Sequence, residues 1–205
     1  MVGNIYLKKI IMGEMMKLSD REWKEFKVTK IFGNSINSKP YHFNNLKEEN
    51  TNLKNSIPYI TRTNLNNGLF CIVKKEDDFI INPKNTISFG AENATYFYQP
   101  YEYITGNKMY YYKNSNLSKY SLLFVLNCLN KSISDCGFGY GVGLTGKRSD
   151  SRIIFLPINT NGEPDYQFME EYIKELMHKK RQEYIKYAKN KMDNLKVEGG
   201  GGLLS

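Results

Sequence analysis

The feature that most constrains the fold is a long helical pattern near the end of the sequence. Between Pro164 and Val197 apolar residues recur at helical spacing among charged ones, and Pro164 followed by Asp165 suits a first helical turn. This length exceeds that of usual globular helices, so the apolar stripe needs a second helix or another subunit as its partner. If another subunit is that partner, the contact would run through Met169, Tyr172, Ile173, Leu176, Tyr184 and Ala188.

The preceding residues predict a β-rich core with one buried helix. Apolar runs that alternate or are β-branched predict strands, and turn residues such as Asn67–Gly68 separate them. The run at 118–132 has helical spacing instead, with Ser118 or Ser121 near its start. The predicted strands are "EFKVTKIF" (25–32), "IPYI" (57–60), "LFCIV" (69–73), "TISFG" (86–90), "ATYFYQ" (94–99), "KMYYYK" (108–113) and "IIFLPI" (153–158).

Together these elements predict an α+β fold, in which a mixed α/β domain with a β-rich core is followed by one long helix. The predicted boundaries are a lead-in at 1–17, the domain at 18–160, the helix at 161–198 and a flexible tail, "GGGGLLS", at 199–205.

Two local patterns refine this expectation. Ser19 and Glu22 have capping-box spacing, which predicts a helix start that places Trp23 and Phe26 on one face. Residues 33–56 predict a long loop with at most one short helix near "FNNLKEEN".

The charge of the chain favours an anionic partner. Its 205 residues carry a net charge of +8, and nucleic acid is the commonest partner of such basic chains. A coding bias towards Lys, Asn, Ile and Tyr would give the same composition without any such partner.

Other features of the sequence indicate where in the cell the protein is found and whether its cysteines bind metal. No run of about 18 apolar residues predicts a membrane span, and the first residues lack the small-residue cleavage site of a signal peptide. Cys71, Cys128 and Cys136 have no metal-binding spacing. We therefore expect reduced structural thiols, no metal site, and a cytoplasmic protein without a membrane partner.

The glycine-rich stretch "GFGYGVGLTGKRSD" (137–150) resembles a nucleotide-binding loop but departs from it. Arg148 stands where that loop needs Ser or Thr to hold Mg²⁺. A predicted helix precedes the stretch and a predicted strand follows it, whereas the nucleotide loop follows a strand and opens a helix. We interpret the stretch as a DNA-facing loop, in which the glycines let the backbone, Lys147 and Arg148 approach phosphates.

No arrangement of residues predicts catalysis. His42 lies in a polar loop, and His178 lies among lysines on the long helix. The carboxylates at 76–78 lack nuclease spacing to a lysine, and "NPKN" at 82–85 lacks the aromatic residue that stacks a flipped base. We expect no catalytic residues and no cofactor, which leaves binding as the function.

Several predicted turns carry side chains that suit DNA contacts. Arginine, lysine, asparagine and threonine contact phosphates or base edges, and tyrosine hydroxyls bond to phosphates. Each could equally be an ordinary solvated loop residue. The candidate DNA-binding residues are Arg62, Thr63, Asn64, Asn67, Asn93, Tyr140, Lys147, Arg148 and Arg152.

The order of these motifs resembles a known family. The segments are "REWKEFKVTKIF", "PYITRTNLNNG", "NTISFGAENATYFYQPYEYITGNKMYYY", "FGYGVGLTGKRSDSRIIFLPIN" and "GEPDYQFMEEYIKEL". Over about 18–195 they are similar to the target recognition domain of the specificity subunits of type I restriction–modification systems, in the variety found in BcgI-like enzymes. The most specific element runs from "LP" through "GEPDY" to "MEEY".

The resemblance implies a non-catalytic reader of one half of a bipartite site in double-stranded DNA. It also implies a long spacer helix, a DNA methyltransferase subunit as partner, and in some systems a restriction nuclease subunit. Full-length subunits contain two such domains, whereas this chain has one, which fits a homodimer formed by antiparallel helices, a fragment, or one module of a split enzyme. Two other functions stay open, a decoy that binds such subunits without DNA and a stand-alone nuclease.

Overall fold

The computed structural model describes residues 15–49, 53–92, 94–139 and 141–199. Two candidate DNA contacts, Asn93 and Tyr140, lie outside these residues, as do positions 1–14 of the predicted lead-in and 200–205 of the predicted tail. The strands are β1 (Trp23–Lys27), β2 (Ile36–Asn37), β3 (Ser56–Ile60), β4 (Leu69–Lys74), β5 (Thr86–Gly90), β6 (Tyr96–Gln99), β7 (Ile104–Thr105), β8 (Met109–Tyr112) and β9 (Ile153–Pro157). The helices are α1 (Val28–Phe32), α2 (Lys119–Ile133), α3 (Gly146–Asp150) and α4 (Tyr166–Gly199), and short 3₁₀ turns span Leu18–Asp20, Phe43–Asn45, Leu53–Asn55 and Asn66–Gly68.

The strands are arranged in small sheets rather than in one continuous sheet. β1 pairs antiparallel with β9, with Phe26 opposite Ile154. A four-stranded antiparallel sheet has the order β2-β8-β5-β6. A three-stranded sheet has the order β4-β3-β7, in which β3 and β7 run parallel. This mixture of sheets and helices confirms the predicted α+β class.

The main core joins the four-stranded sheet, the β1–β9 pair, α2 and the start of α4. Fully buried side chains from these elements include Phe89, Tyr112, Leu122, Leu129, Leu156 and Met169. Burial of each such side chain contributes about 1.5–3 kcal/mol. Asn130 fastens α2 to β6, because its side chain accepts from the N–H of Tyr96 at 2.9 Å and donates to its carbonyl at 3.0 Å.

Both long helices begin close to where the sequence predicts. The hydroxyl of Ser118 accepts a hydrogen bond from the N–H of Ser121 at 3.2 Å, which caps α2. The carboxylate of Asp165 accepts from the N–H of Phe168 at 2.9 Å at the start of α4. All predicted strands after residue 56 are also present, with ends that differ by two residues or fewer.

The predicted first strand over 25–32 was wrong in its second half. The strand ends at Lys27, and α1 follows directly. Phe26 and Val28 alternate, which suggested a strand, but Val28 and Ile31 are buried together at helical spacing. The N–H of Val28 donates to the carbonyl of Arg152 at 2.9 Å, so the chain turns into α1 against the end of α3.

The predicted capping box at Ser19 and Glu22 was also wrong. The N-cap of the turn at Leu18–Asp20 is Lys17, two residues before Ser19, and the carboxylate of Asp20 accepts from the N–H of Lys17 at 2.8 Å. Trp23 and Phe26 lie on a strand rather than on a helix. Trp23 is 37% exposed and Phe26 is buried, as expected for opposite faces of β1.

Residues 33–56 contain more structure than the predicted loop, although the one short turn near "FNNLKEEN" is present. β2 pairs with β8, and Tyr41, Phe43 and Leu46 pack on a second, smaller core formed by β3, β4 and β7. β7 was missed by the sequence reasoning because it is only two residues long.

The apolar stripe of α4 divides into two parts. Met169 and Ile173 are buried in the core of the same chain, which leaves them unavailable for the expected dimer contact. Tyr172 packs against this core but stays partly exposed. Leu176 and Tyr184 are exposed, and Ala188 is half-buried. In the part of the chain that the structure describes, no helix has the length and apolar character needed to cross a membrane.

Candidate nucleic-acid interface

Loops from four places in the sequence meet at one end of the sheets and are held by main-chain hydrogen bonds. Gly106 donates to the carbonyl of Ile60 at 2.9 Å, and Leu144 donates to the carbonyl of Ala91 at 2.6 Å. The N–H of Ala91 in turn donates to the carbonyl of Lys108 at 3.1 Å. We call this end the four-loop surface, formed by the described residues of 61–68, 91–95, 106–108 and 141–148.

Arg62 is linked through one carboxylate to two other loops of the four-loop surface. Its guanidinium pairs with the carboxylate of Glu92, whose other oxygen lies 2.9 Å from the Nζ of Lys108. The pKa of Glu92 is lowered because Lys108 donates a hydrogen bond to it and Arg62 lies beside it. Glu92 and Lys108 were missed by the sequence reasoning, which concentrated on the Asn67–Gly68 turn and the glycine-rich stretch.

The loop between β3 and β4 presents three more candidate residues. Asn64 is exposed and its side-chain oxygen accepts from the hydroxyl of Thr95 at 3.1 Å, which joins this loop to the β5–β6 loop. The hydroxyl of Thr63 accepts from the N–H of Leu65 at 3.2 Å and so shapes the turn. Asn67 is exposed at φ 55°, a left-handed conformation that asparagine tolerates.

Lys147 and Arg148 are both exposed, but they lie on a short helix rather than in the predicted loop. The hydroxyl of Thr145 caps this helix by accepting from the N–H of Arg148. The Nη1 of Arg148 donates to the carbonyl of Gly143 at 2.7 Å. This hydrogen bond holds the guanidinium against the loop that precedes α3.

Two glycines of the stretch serve the packing of the chain itself. A Cβ added at Gly143 would lie 2.7 Å from the carbonyl oxygen of Ala91, and one at Gly146 would lie 2.6 Å from the hydroxyl of Ser35. By contrast, Gly137, Gly139 and Gly141 have open space around them. The interpretation that the glycines bring the backbone to phosphates is therefore wrong for Gly143 and Gly146, which bring α3 against the sheet.

A buried hydroxyl network anchors α3 and so positions Lys147 and Arg148. The hydroxyl of Ser149 lies 2.6 Å from those of both Tyr96 and Tyr112. Tyr112 also donates to the carboxylate of Asp150 at 2.8 Å, and that carboxylate accepts from the N–H of Ser35 at 2.9 Å. Burial raises the pKa of Tyr96 to about 12 and also raises that of Tyr112.

Arg152, another candidate DNA contact, is engaged within the chain. Its Nη2 donates to the carbonyl of Ser132, lies 3.2 Å from the Sγ of Cys136, and its guanidinium lies over the ring of Phe138. These contacts engage the guanidinium at the end of α2, and a DNA contact by Arg152 stays a prediction. Among the residues that the structure describes, no group of three or more His, Cys, Asp or Glu could hold a metal ion.

The fold and this surface define a class, a mixed α/β binding domain that presents loops at one end and extends a long helix. Residues 20–187 match the family described as the type I restriction modification DNA specificity domain. The chain therefore belongs to this family, as its motifs predicted.

Individual relatives are similar over most of this chain. The specificity subunit S.BcgI of a type II restriction enzyme from Heyndrickxia coagulans is 28% identical over 170 residues, 81% of this chain and 47% of the relative. The S subunit of a type I restriction-modification system from M. genitalium has a TM-score of 0.55 at 16% identity, over 88% of this chain and 44% of that one.

A second structure, from work on complex assembly and conformational transition of the type I R-M system, has a TM-score of 0.58 at 12% identity. The match covers 86% of this chain and 43% of that one. The two structures support the fold, and the chain spans about half the length of the relatives that it matches.

Proposed function

We propose that this chain is the DNA-sequence reader of a restriction–modification system and is itself non-catalytic. The observation that carries the proposal is the four-loop surface, on which Arg62 and Lys108 share the carboxylate of Glu92. The loop that leads to the exposed Lys147 and Arg148 is bonded to this surface through Leu144 and Ala91. Membership of a DNA specificity family supports the proposal. The decoy alternative is not favoured, because the matched family is one of DNA specificity.

The proposed mechanism divides the work between two kinds of side chain. Lysine and arginine bind phosphates, which gives a salt-dependent affinity, and Asn64 and Arg62 contact base edges. Lys147 and Arg148 contact phosphates, because α3 holds them on the outside of the domain. Each good bidentate base contact contributes about 1–3 kcal/mol of discrimination.

The exposed part of α4 supports a proposal about assembly. Beyond Ile173 the helix carries exposed apolar side chains at Leu176, Tyr184, Ile185, Met192 and Leu195. We propose that a second copy of the chain covers this stripe in an antiparallel helix pair, so that two domains read a symmetric bipartite site. A DNA methyltransferase subunit, and in some assemblies a restriction nuclease subunit, would supply the chemistry.

A salt series tests the DNA proposal with two double variants. K147Q/R148Q should weaken binding to duplex DNA and reduce the slope of log K against log salt by about 1.8, at about 0.9 for each phosphate. The matched control K54Q/K75Q removes two exposed lysines at the opposite end of β3 and β4 and should change the slope less. Equal slopes for both variants would contradict a role for α3 in DNA binding.

Light scattering tests the assembly proposal. The wild-type chain should be a dimer, and Met192→Glu should dissociate it, because the helix pair would bury an unpaired carboxylate. Met192 is 59% exposed, and Ile80→Glu is a matched control because Ile80 is 60% exposed and lies away from α4. A wild-type monomer at high concentration would overturn the symmetric-site proposal.

A further inference from the structure

We propose that Glu92 competes with DNA phosphates for Arg62 and Lys108, and so lowers the affinity of the chain for non-specific DNA. The inference rests on the proposed function of the four-loop surface and goes beyond it. It assigns a specificity role to an acidic residue on a surface that is otherwise cationic.

The geometry places one carboxylate between two cations that come from different loops. Glu92 lies after β5, Arg62 lies after β3, and Lys108 lies just before β8. One carboxylate oxygen pairs with Arg62 and the other lies 2.9 Å from the Nζ of Lys108. The side chains of Glu92, Arg62 and Lys108 are 28%, 32% and 56% exposed, so a phosphate can reach either cation.

The fold also fixes the position of Arg62. A Cβ added at Gly90 would lie 2.6 Å from the Cγ of Arg62 and 3.1 Å from the Sδ of Met109. The aliphatic part of Arg62 therefore runs across a glycine of β5 that leaves room for it. This packing directs the guanidinium to Glu92, which lies two residues after Gly90. The fold therefore positions the ion pair of Arg62 and Glu92.

The carboxylate is charged at neutral pH, as is any ordinary glutamate, and the hydrogen bond from Lys108 and the nearby Arg62 lower its pKa further. A phosphate that binds Arg62 or Lys108 must replace this carboxylate, and it brings negative charge close to Glu92. On non-specific DNA, phosphate contacts supply essentially all of the affinity, so the loss is not offset. On the correct sequence Arg62 contacts a base edge and keeps Glu92 as a second partner, because a guanidinium has five N–H donors. The penalty then falls mainly on non-specific DNA, and the ratio of specific to non-specific affinity rises.

The test compares full-length wild type, E92Q and a matched control on random-sequence duplex DNA. The control is E76Q, because Glu76 also pairs with a lysine, Lys74 at 3.7 Å, at the end of β4 away from the four-loop surface. Both variants remove one negative charge. E92Q should bind about 3- to 10-fold more tightly than E76Q at about 100 mM salt. The slope of log K against log salt should be steeper by about 1.8, because Arg62 and Lys108 both become available to phosphates.

A double-mutant cycle shows whether the effect of E92Q on DNA affinity depends on Arg62 and Lys108. In the background R62Q/K108Q, E92Q should gain no more affinity than E76Q gains in the same background. In cells that carry the chain with its methyltransferase, E92Q should lead to methylation at additional, degenerate sites, whereas E76Q should keep the wild-type methylation pattern.

The outcomes separate this inference from the proposed function. If the wild-type chain fails to bind duplex DNA even at about 50 mM salt, both are overturned. If the wild type binds and E92Q matches E76Q in affinity and slope, only the competition is overturned. Weaker binding by E92Q than by E76Q would also overturn it, since Glu92 would then orient Arg62 for DNA rather than withhold it.

Discussion

The two parts of α4 contain similar residues in different surroundings. Met169 and Ile173 are buried against the sheets and α2, whereas Tyr184 and Met192, further along the same helix, are 70% and 59% exposed. The helical period is the same in both parts. The difference shows that periodicity reports a helix with an apolar face but does not report what covers that face.

The largest expected effect comes from truncating the buried part. Met169→Ala should lower the free energy of unfolding by about 2–5 kcal/mol, because it leaves a cavity in a core where Met169 is 0% exposed. Met192→Ala, the matched truncation in the exposed part, should change the stability of the monomer by less than about 0.5 kcal/mol. Urea unfolding of dilute samples measures both, and similar values would contradict the division of the helix.

A smaller effect is expected at a buried polar position, which extends the comparison beyond apolar side chains. Ser149→Ala removes the partner of two tyrosine hydroxyls and should lower stability by about 1–3 kcal/mol. Ser151→Ala removes an exposed hydroxyl next to the same helix, one that donates to the carbonyl of Arg148 at 2.9 Å. Ser151→Ala should change the free energy of unfolding by less than about 0.5 kcal/mol.

The Ser149 variant also tests how α3 is positioned. If the network holds Lys147 and Arg148 in place, Ser149→Ala should weaken DNA binding while Ser151→Ala should not. An unchanged unfolding midpoint for Ser149→Ala would show that the hydroxyl network contributes nothing to stability.

The smallest effect concerns pH. Burial raises the pKa of Tyr96 to about 12 in the folded chain, above the value near 10 of an exposed tyrosine. The folded state therefore keeps the proton that the unfolded state loses, so stability is full below about pH 10 and falls between about pH 10 and 12. The loss is at most about 1.4 kcal/mol per pH unit for this residue.

Denaturant unfolding between about pH 9 and 12 measures this slope. Tyr96→Phe should make it shallower, because the titrating hydroxyl is gone. Tyr101→Phe removes a hydroxyl from a side chain that is 72% exposed and should leave the slope as in the wild type. A slope that is the same in Tyr96→Phe and wild type would mean that folding does not raise the pKa of Tyr96.

The sequence predicts those parts of the fold that depend on local interactions. The caps at Ser118 and Asp165 and the strands bounded by turn residues depend on neighbours within a few positions. The change from β1 to α1 depends instead on Val28 and Ile31 packing into a distant core. β7 is too short to show a period, and its pairing with β3 joins residues about 45 positions apart.

The candidate site was predictable in its residue types and less so in its geometry. Arg62, Asn64, Lys147 and Arg148 lie on the four-loop surface, as turn chemistry suggested for most of them. Arg152 has the same chemistry, yet its guanidinium closes the end of α2. The partners of these arginines are distant along the chain, so residue type alone does not predict them.

The main-chain bonds between the loops have an evolutionary consequence. The bonds from Gly106 to Ile60, and from Leu144 to Ala91, do not depend on which side chains the loops carry. Under the proposed function, substitutions of exposed loop side chains would alter the DNA target while these main-chain bonds keep the loops in place. Divergence of specificity is thereby separated from loss of the fold, which depends on buried groups such as Ser149.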